Sequence, residues 1–418
     1  MKNKNFLGFN NNRKKNQYKY MLLENGFSKK DLDIGSKILK SGNITMNTET
    51  KKFEEAFAKK LNVKYAVMTN SGSSANLLAA FAACNPLRKN RFKKGDEAII
   101  PALCWPTSLW PLHQTGLKIK FVDINPKTLN VDAKEIISSV TKKTKVIMLV
   151  NVLGISSNNQ KIKDFARKKK IIILEDNCEA LGAKLNKKHL GTFGDFGTFS
   201  FFYSHQITSG EGGMIVCHDK DDYEILLSLR SHGWSRSNNQ KQYLMNAKKY
   251  PNIDPRYIFI NQGFNFRPTD VQAAIGHSQF KRLNQFIKMR SKNKKKIIES
   301  LRKDTRWKNQ FSFVDVPQNI FPSYMGLPIK LNTKKTKKIK MKLLQYLESK
   351  GVETRPILTG NFLNQPSIKL FGICKKKIRL KGVQKIEDLG FLIGLHTKKI
   401  TQEHINLIKN SLFHINSL

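Results

Sequence analysis

Acidic residues are scarce in this chain. Thirty-one Asp and Glu face 75 Lys and Arg, a formal net charge of +44 over 418 residues. An excess of that size raises nucleic-acid binding as a function class. The rest of a nucleic-acid surface is missing. No basic stretch is interleaved with aromatics as a stacking platform, and lysines run through the whole chain alongside abundant Asn and Ile. The charge therefore reads as a compositional bias that still favours anionic ligands such as phosphates and carboxylates, and nucleic acid is not an expected partner. Cysteine is rare too. Cys84, Cys104, Cys178, Cys217 and Cys374 are scattered, odd in number and without metal-ligand spacing, which fits a reducing cytoplasm better than a disulfide framework. Long apolar runs are absent. The longest, "VIMLVNVLGI", suits a buried strand and falls short of a membrane span. "MKNKNFLGFNNNRKKNQ" has basic residues but no apolar signal-peptide core. A cytoplasmic protein without membrane association is expected.

Core material is nevertheless ample: 39% of residues are hydrophobic, and 26 are Phe. The length allows two lobes. Residues 1–20 are polar and basic and read as a frayed terminus. "TETKKFEEAFAKKL" (48–61) places Phe53, Ala56, Phe57 and Leu61 at helical spacing, with Thr48 or Thr50 as its cap. From "YAVMTN" (65–70) onward, apolar runs alternate with helical segments: "EAIIPAL", "KIKFVDI", "KVIMLVNVLG", "KIIILEDNC", "GTFSFFY" and "GMIVC". Buried strands alternating with helices indicate an α/β fold with a large, mainly parallel mixed sheet over residues 21–285. The pattern changes near 285. A long basic helix ("LNQFIKMRSKNKKKIIESLRKD"), a strand ("MGLPIKL"), a helix ("KKIKMKLLQYLESKG"), a strand ("VETRPIL") and a terminal helix (401–413) predict a smaller α+β domain over 286–418. The basic tracts at 291–296 and 334–341 read as solvated helix faces.

Several short segments could carry chemistry, and each also has a plain structural reading. "TNSGSSAN" (69–76) is a Gly-Ser corner between a strand and a helix. Its backbone amides and helix dipole suit a phosphate, although a serine there can simply cap the helix. Asp176, at the end of the apolar run in "IIILEDNCEALGA", is either a helix N-cap with Glu179 as capping-box partner or a carboxylate awaiting a cation. A protonated pyridine nitrogen would serve as that cation. Trp105 in "PALCWPTSLW" is a core tryptophan or a plane for stacking. "SLRSHGWSR" puts Arg230, His232 and Arg236 in a polar loop, and "NQGFNFRPTDVQAAIG" puts Asn265 and Arg267 before an Ala-rich helix. For Arg236 and Arg355, surface ion pairs compete with anion binding.

The order of these segments resembles fold-type I PLP (pyridoxal phosphate) enzymes, and in particular the DegT/StrS nucleotide-sugar aminotransferase family. The shared features are "SGNITMNTETKKFEEAFAKKL", "NSGSSANL", "EDNCEALGA", "SFFYSHQITSGEGGMIV" and "GFNFRPTDVQAAIGHSQF", over about residues 35–400. In most of that family a lysine occupies the position of His205 and binds PLP as a Schiff base. Here "SFFYSH" keeps the spacing from Ser200 and loses the amine. Imidazole forms no stable imine, so PLP or its amine form, PMP (pyridoxamine phosphate), would be held non-covalently. The histidine, with "RSHGW" and "TRPILTGNFL", resembles the C3-dehydratase branch. What that implies is loss of the C3 hydroxyl from a 4-keto-6-deoxy nucleotide sugar, GDP-4-keto-6-deoxy-D-mannose, with glutamate as amino donor, in dideoxysugar synthesis for surface polysaccharide. One departure is Gln206, where a second histidine is usual. A related CDP-sugar dehydratase uses an iron–sulfur cluster. The dispersed cysteines lead us to expect no cluster here.

The resemblance also implies roles. Gly72, Ser73 and Ser200 would hold the phosphate, and Asn265 would reach it from the neighbouring subunit of a homodimer. Trp105 would stack on the ring, Asp176 would pair with its nitrogen, and Glu179 would lie near it. Arg267 would take the glutamate carboxylate, and Arg236 and Arg355 the substrate. His205 would transfer the proton, with His232 a second candidate. Two other readings stay open: an aminotransferase using some other lysine, and a PLP-fold protein that binds without catalysis.

Overall fold

The computed structural model describes residues 18–418 apart from 25, 157, 239, 333–336 and 375–377. Most of the expected frayed terminus, residues 1–17, and part of the 334–341 basic tract lie outside the described residues.

Among the described residues nine strands lie between Tyr65 and Cys217. They are β1 (Tyr65–Thr69), β2 (Glu97–Pro101), β3 (Lys118–Val122), β4 (Thr144–Val150), β5 (Ile172–Asp176), the two-residue β6 (Lys184–Leu185) and β7 (Lys188–His189), β8 (Phe196–Ser200) and β9 (Gly213–Cys217). Seven form one sheet in the order β1-β9-β8-β5-β4-β2-β3. The pairs β2/β3, β2/β4, β4/β5 and β5/β8 are parallel, while β9 runs antiparallel to both β8 and β1. Helices on both faces explain why β5, β8 and β9 are buried at every residue instead of alternating. The fold-type I architecture expected from the sequence is the one observed.

The second half adds β10 (Phe311–Phe313), β11 (Ile320–Phe321), β12 (Gly326–Leu331), β13 (Thr354–Arg355) and β14 (Gly390–Gly394). A four-stranded sheet of order β10-β12-β14-β13 carries its own core of Leu327, Ile329, Leu343, Leu347, Phe391 and Ile393. The helix Leu283–Arg302 serves both cores. Leu283 and Ile287 pack with Phe53 and Phe57, and Ile297 and Leu301 pack beneath the small sheet.

The helix Thr48–Leu61 forms with the expected bounds, and Phe53, Phe57 and Leu61 are buried. Its cap differs from the sequence reading. Neither Thr48 nor Thr50 caps it. The Asp270 carboxylate, more than 200 residues away in sequence, accepts from the backbone N–H of Asn47 (2.8 Å), Glu49 (3.0 Å) and Thr50 (3.0 Å) and from the Thr50 hydroxyl (2.7 Å). A tertiary carboxylate at a helix N-terminus satisfies the same orphan amides a local cap would. Tyr20 is also not frayed. It is fully buried, its hydroxyl donates to the Gly394 carbonyl at 3.0 Å, and its backbone bridges Val352.

Candidate active site

In an open α/β sheet, ligands sit beyond the carboxyl ends of the parallel strands. A cavity of about 540 Å³ lies there. Thr69 leads from β1 into the Ser71–Gly72–Ser73 corner, and Pro101 leads from β2 to Trp105. Val150 of β4, Asp176 of β5 and Ser200 of β8 reach the wall directly. The small lobe closes the other side with Met325, Gly326 and Arg355, and the N-terminal segment contributes Leu22. Of the twelve expected site residues, eight line this one cavity: Gly72, Ser73, Trp105, Asp176, Glu179, Ser200, His205 and Arg355.

The corner is tight for a reason. Ser71 caps the helix Gly72–Ala83 by accepting from the Ser74 N–H at 3.0 Å. A Cβ on Gly72 would meet Ser200 Cβ at 2.5 Å and Cys178 Sγ at 3.0 Å. Only glycine lets the helix N-terminus approach Ser200 this closely, and the result is a cradle of amides and hydroxyls for an anion.

Asp176 is 5% exposed. Its Oδ2 accepts from Asn76 Nδ2 (2.8 Å) and Ser108 Oγ (2.7 Å), and its Oδ1 from the Cys178 N–H (3.0 Å). The segment after it is a turn, so the helix-cap reading fails. Among the described residues no cation pairs with this carboxylate. A buried carboxylate held by three donors and opening on a cavity is set up for a positive charge that a ligand brings. Glu179, beside it, accepts from the Leu153 N–H at 3.0 Å. Burial, with the Asp176 charge adding to it, pushes the Glu179 carboxyl up to about 7 despite that hydrogen bond.

His205 stands in the wall with Nδ1 3.1 Å from the Met325 thioether. Desolvation holds its pKa down at about 4; Asp176 opposes this and the Arg290 guanidinium adds to it. The imidazole is therefore neutral at neutral pH. With a proton on Nδ1, Nε2 carries the lone pair. Among the described residues no lysine lines the cavity.

The model of the DegT/DnrJ/EryC1/StrS aminotransferase family matches residues 28–409. The chain belongs to that family. It is 37% identical over 393 residues to the GDP-4-keto-6-deoxy-D-mannose 3-dehydratase of Yersinia pseudotuberculosis, covering 93% of this chain and 97% of that one. The structure of the E. coli GDP-4-keto-6-deoxy-D-mannose-3-dehydratase with bound hydrated PLP superposes with a TM-score of 0.84 at 34% identity, covering 94% of this chain and 99% of that one. A structure of GDP-4-keto-6-deoxymannose-3-dehydratase with a trapped PLP-glutamate geminal diamine gives a TM-score of 0.83 at 34% identity, covering 94% and 100%.

Within this DegT/StrS-family chain the other four expected residues gather elsewhere. Arg267 Nε donates to Asn265 Oδ1 at 2.9 Å, and its Nη2 lies 3.3 Å from His232 Nε2. Arg236 stacks over the Trp234 ring, 4.0 Å from its centroid. None of the four lines the cavity of its own chain. Arg230 was expected beside them in a polar loop. It is instead a buried helix-end residue paired with Glu54 at 2.6 Å and donating to the Met68 carbonyl. Arg355 is tied to Glu353 at 2.6 Å, and Glu353 also accepts from the Leu22 N–H at 2.8 Å.

Sequence reasoning missed Asn76 and Ser108, the two side chains that hold Asp176. Both lie inside motifs singled out for other residues, so their signal was available. Met325 and Leu22 come from distant segments with no local signal. Gln206 is buried, and its Nε2 donates to the carbonyls of Glu179 and, at 3.0 Å, Ser323. An amide suits that place because both partners are acceptors. Among the described residues no group of three or more His, Cys, Asp or Glu is placed to hold a metal ion, and no helix is long and apolar enough to cross a membrane.

Proposed function

We propose that this chain removes the C3 hydroxyl of a 4-keto-6-deoxy nucleotide sugar, GDP-4-keto-6-deoxy-D-mannose, using PLP/PMP bound without a covalent link and glutamate as amino donor and reductant. The observation that carries the reading is a cavity at the sheet's carboxyl ends that His205 lines and that no lysine lines among the described residues. Overall, the sugar and glutamate become the 3-deoxy-4-keto sugar, 2-oxoglutarate and ammonia, and the water lost at C3 balances the water consumed in releasing ammonia.

The residues present fit the cofactor. The Gly72–Ser73 amides with Ser200 would hold its phosphate, the uncompensated Asp176 carboxylate its protonated nitrogen, and Trp105, 52% exposed at the cavity mouth, its ring face. When bound, the cofactor would supply an amine that engages the C4 carbonyl and a ring that takes up the electron pair freed by proton loss and returns it towards the sugar, where the C3 hydroxyl leaves. His205 Nε2 takes a proton as a neutral base and returns it as an acid to the departing hydroxyl. Glu179, its carboxyl pushed up to about 7, can hold or release a proton near neutral pH beside Asp176. Arg355 offers its guanidinium edge to the substrate's anionic part. An amino-sugar product would need an amine that returns a proton to C4, and among the described residues the wall has none.

Incubating the protein with PLP, glutamate and the GDP-linked 4-keto sugar tests this. The expected result is ammonia and a 3-deoxy product, and borohydride should fix no pyridoxyl group to the polypeptide. An amino sugar, or a pyridoxyl-lysine found by mass spectrometry, would sink the reading.

The cluster of Asn265, Arg267, His232 and Arg236 has a place in this scheme if two chains share each site. We assign Asn265 to the cofactor phosphate and Arg267 to the glutamate carboxylate of the neighbouring subunit. Light scattering should return twice the chain mass; a fully active monomer would rule the shared site out.

A further inference from the structure

Arg290 lies on the helix Leu283–Arg302, 85 residues from His205 in sequence, and is 1% exposed. Among the described residues no carboxylate pairs with it. A buried guanidinium without a counter-ion is costly, so the geometry it maintains is informative. It donates three hydrogen bonds, all to carbonyls: Nε to Leu395 (3.0 Å), Nη2 to His205 (3.0 Å) and Nη1 to Gln206 (3.3 Å). Two of the three acceptors are the catalytic histidine and the residue after it.

We infer that Arg290 is a positioning residue for His205, its planar fork fixing the backbone of the 205–206 turn against the small lobe. This rests on the proposed role of His205 as the proton-transfer group. The turn needs such a hold. Phe202 and Tyr203 before it are exposed, and within the turn itself the His205 N–H reaches only the Phe202 carbonyl. Gln206 secures the side-chain level by donating to Glu179 and Ser323, and Met325 meets the imidazole Nδ1. Arg290 secures the backbone level. Lysine could not replace it, because one ammonium cannot span three carbonyls in a plane. The guanidinium also acts through its charge. Burial lowers its own pKa to about 10, so it stays protonated at neutral pH and disfavours a second positive charge on His205. Asp176 pulls the other way, and among the described residues Glu179, Glu211 and Arg355 are the remaining charged groups on the wall.

Two variants and two readouts test this. Arg290→Lys, folded by circular dichroism, should lose about 10²-fold in kcat, the cost of misplacing a catalytic group. KM for glutamate should stay within about 3-fold, because no ground-state contact is removed. Arg290→Met, with histidine rings isotope-labelled and no cofactor or substrate added, should raise the His205 NMR titration midpoint above about 4 yet leave it well short of 6.5, because burial, the larger cause of the depression, remains. Folded variants with wild-type kcat and an unmoved midpoint would overturn the inference. If neither variant folds, Arg290 belongs to the fold alone and the positioning role falls. Absence of turnover in the unaltered protein would sink the dehydratase reading instead, and the substrate-free titration would still decide this one.

Discussion

His205→Asn should bind cofactor and sugar and then stall, with turnover reduced by at least about 10²–10⁴-fold, the range a positioned acid–base group supplies. Asn keeps the size and one polar contact but can neither accept nor return a proton near neutral pH. The glutamate half-reaction should suffer as well, because it needs a base in the same cavity. Stopped-flow traces of each half-reaction, with product analysis, make the measurement. The pH profile gives a second check. His205 must be neutral to act, and burial holds its pKa at about 4, so wild-type activity should fall only as pH drops towards 4. An unperturbed histidine would lose it through 6.5. His205→Asn turning over at the wild-type rate would place the base elsewhere. His232, the second candidate from the sequence, is poorly placed for that within one chain, because it packs on Trp234 and Arg267 outside the cavity.

The large sheet was legible because its strands are buried on both faces. A run such as "KVIMLVNVLG" has few alternatives when helices flank it. The small sheet was less so. β14 (Gly390–Gly394) is central to it yet reads as a short run between glycines, and the helix Lys381–Leu389 before it carries no cap signal. Its strand character comes from pairing with β12 and β13, which sequence order does not reveal. The site divides along the same line. Gly72, Ser73, Asp176 and Ser200 are legible because they sit where a strand ends and a turn begins. Asp270 capping a helix more than 200 residues away, and Arg290 holding the His205 turn, are tertiary contacts without local pattern. Gln206 stood out only as a departure, and its buried amide, bonded to two carbonyls, accounts for it.

Asp176→Asn should separate cofactor binding from folding. In the protein without cofactor, Asp176 is a buried carboxylate with three donors and no cation among the described residues. Its charge then brings no ion-pair stability, and a near-isosteric amide can keep the two bonds at one oxygen while losing the Cys178 N–H bond, so the apo melting temperature should fall only slightly. With cofactor bound, the carboxylate faces a protonated ring nitrogen. Removing one partner of a buried ion pair costs about 3–5 kcal/mol, which is roughly 10²–10⁴-fold in affinity. Because no lysine among the described residues lines the cavity to hold the cofactor covalently, that loss should appear in full as a higher dissociation constant, and cofactor should leave on gel filtration. Two measurements decide the matter: apo melting by calorimetry and PMP binding by fluorescence titration. A variant that melts much earlier without cofactor while binding PMP normally would make Asp176 a structural anchor for Asn76 and Ser108, and the cavity would need another partner for the ring nitrogen.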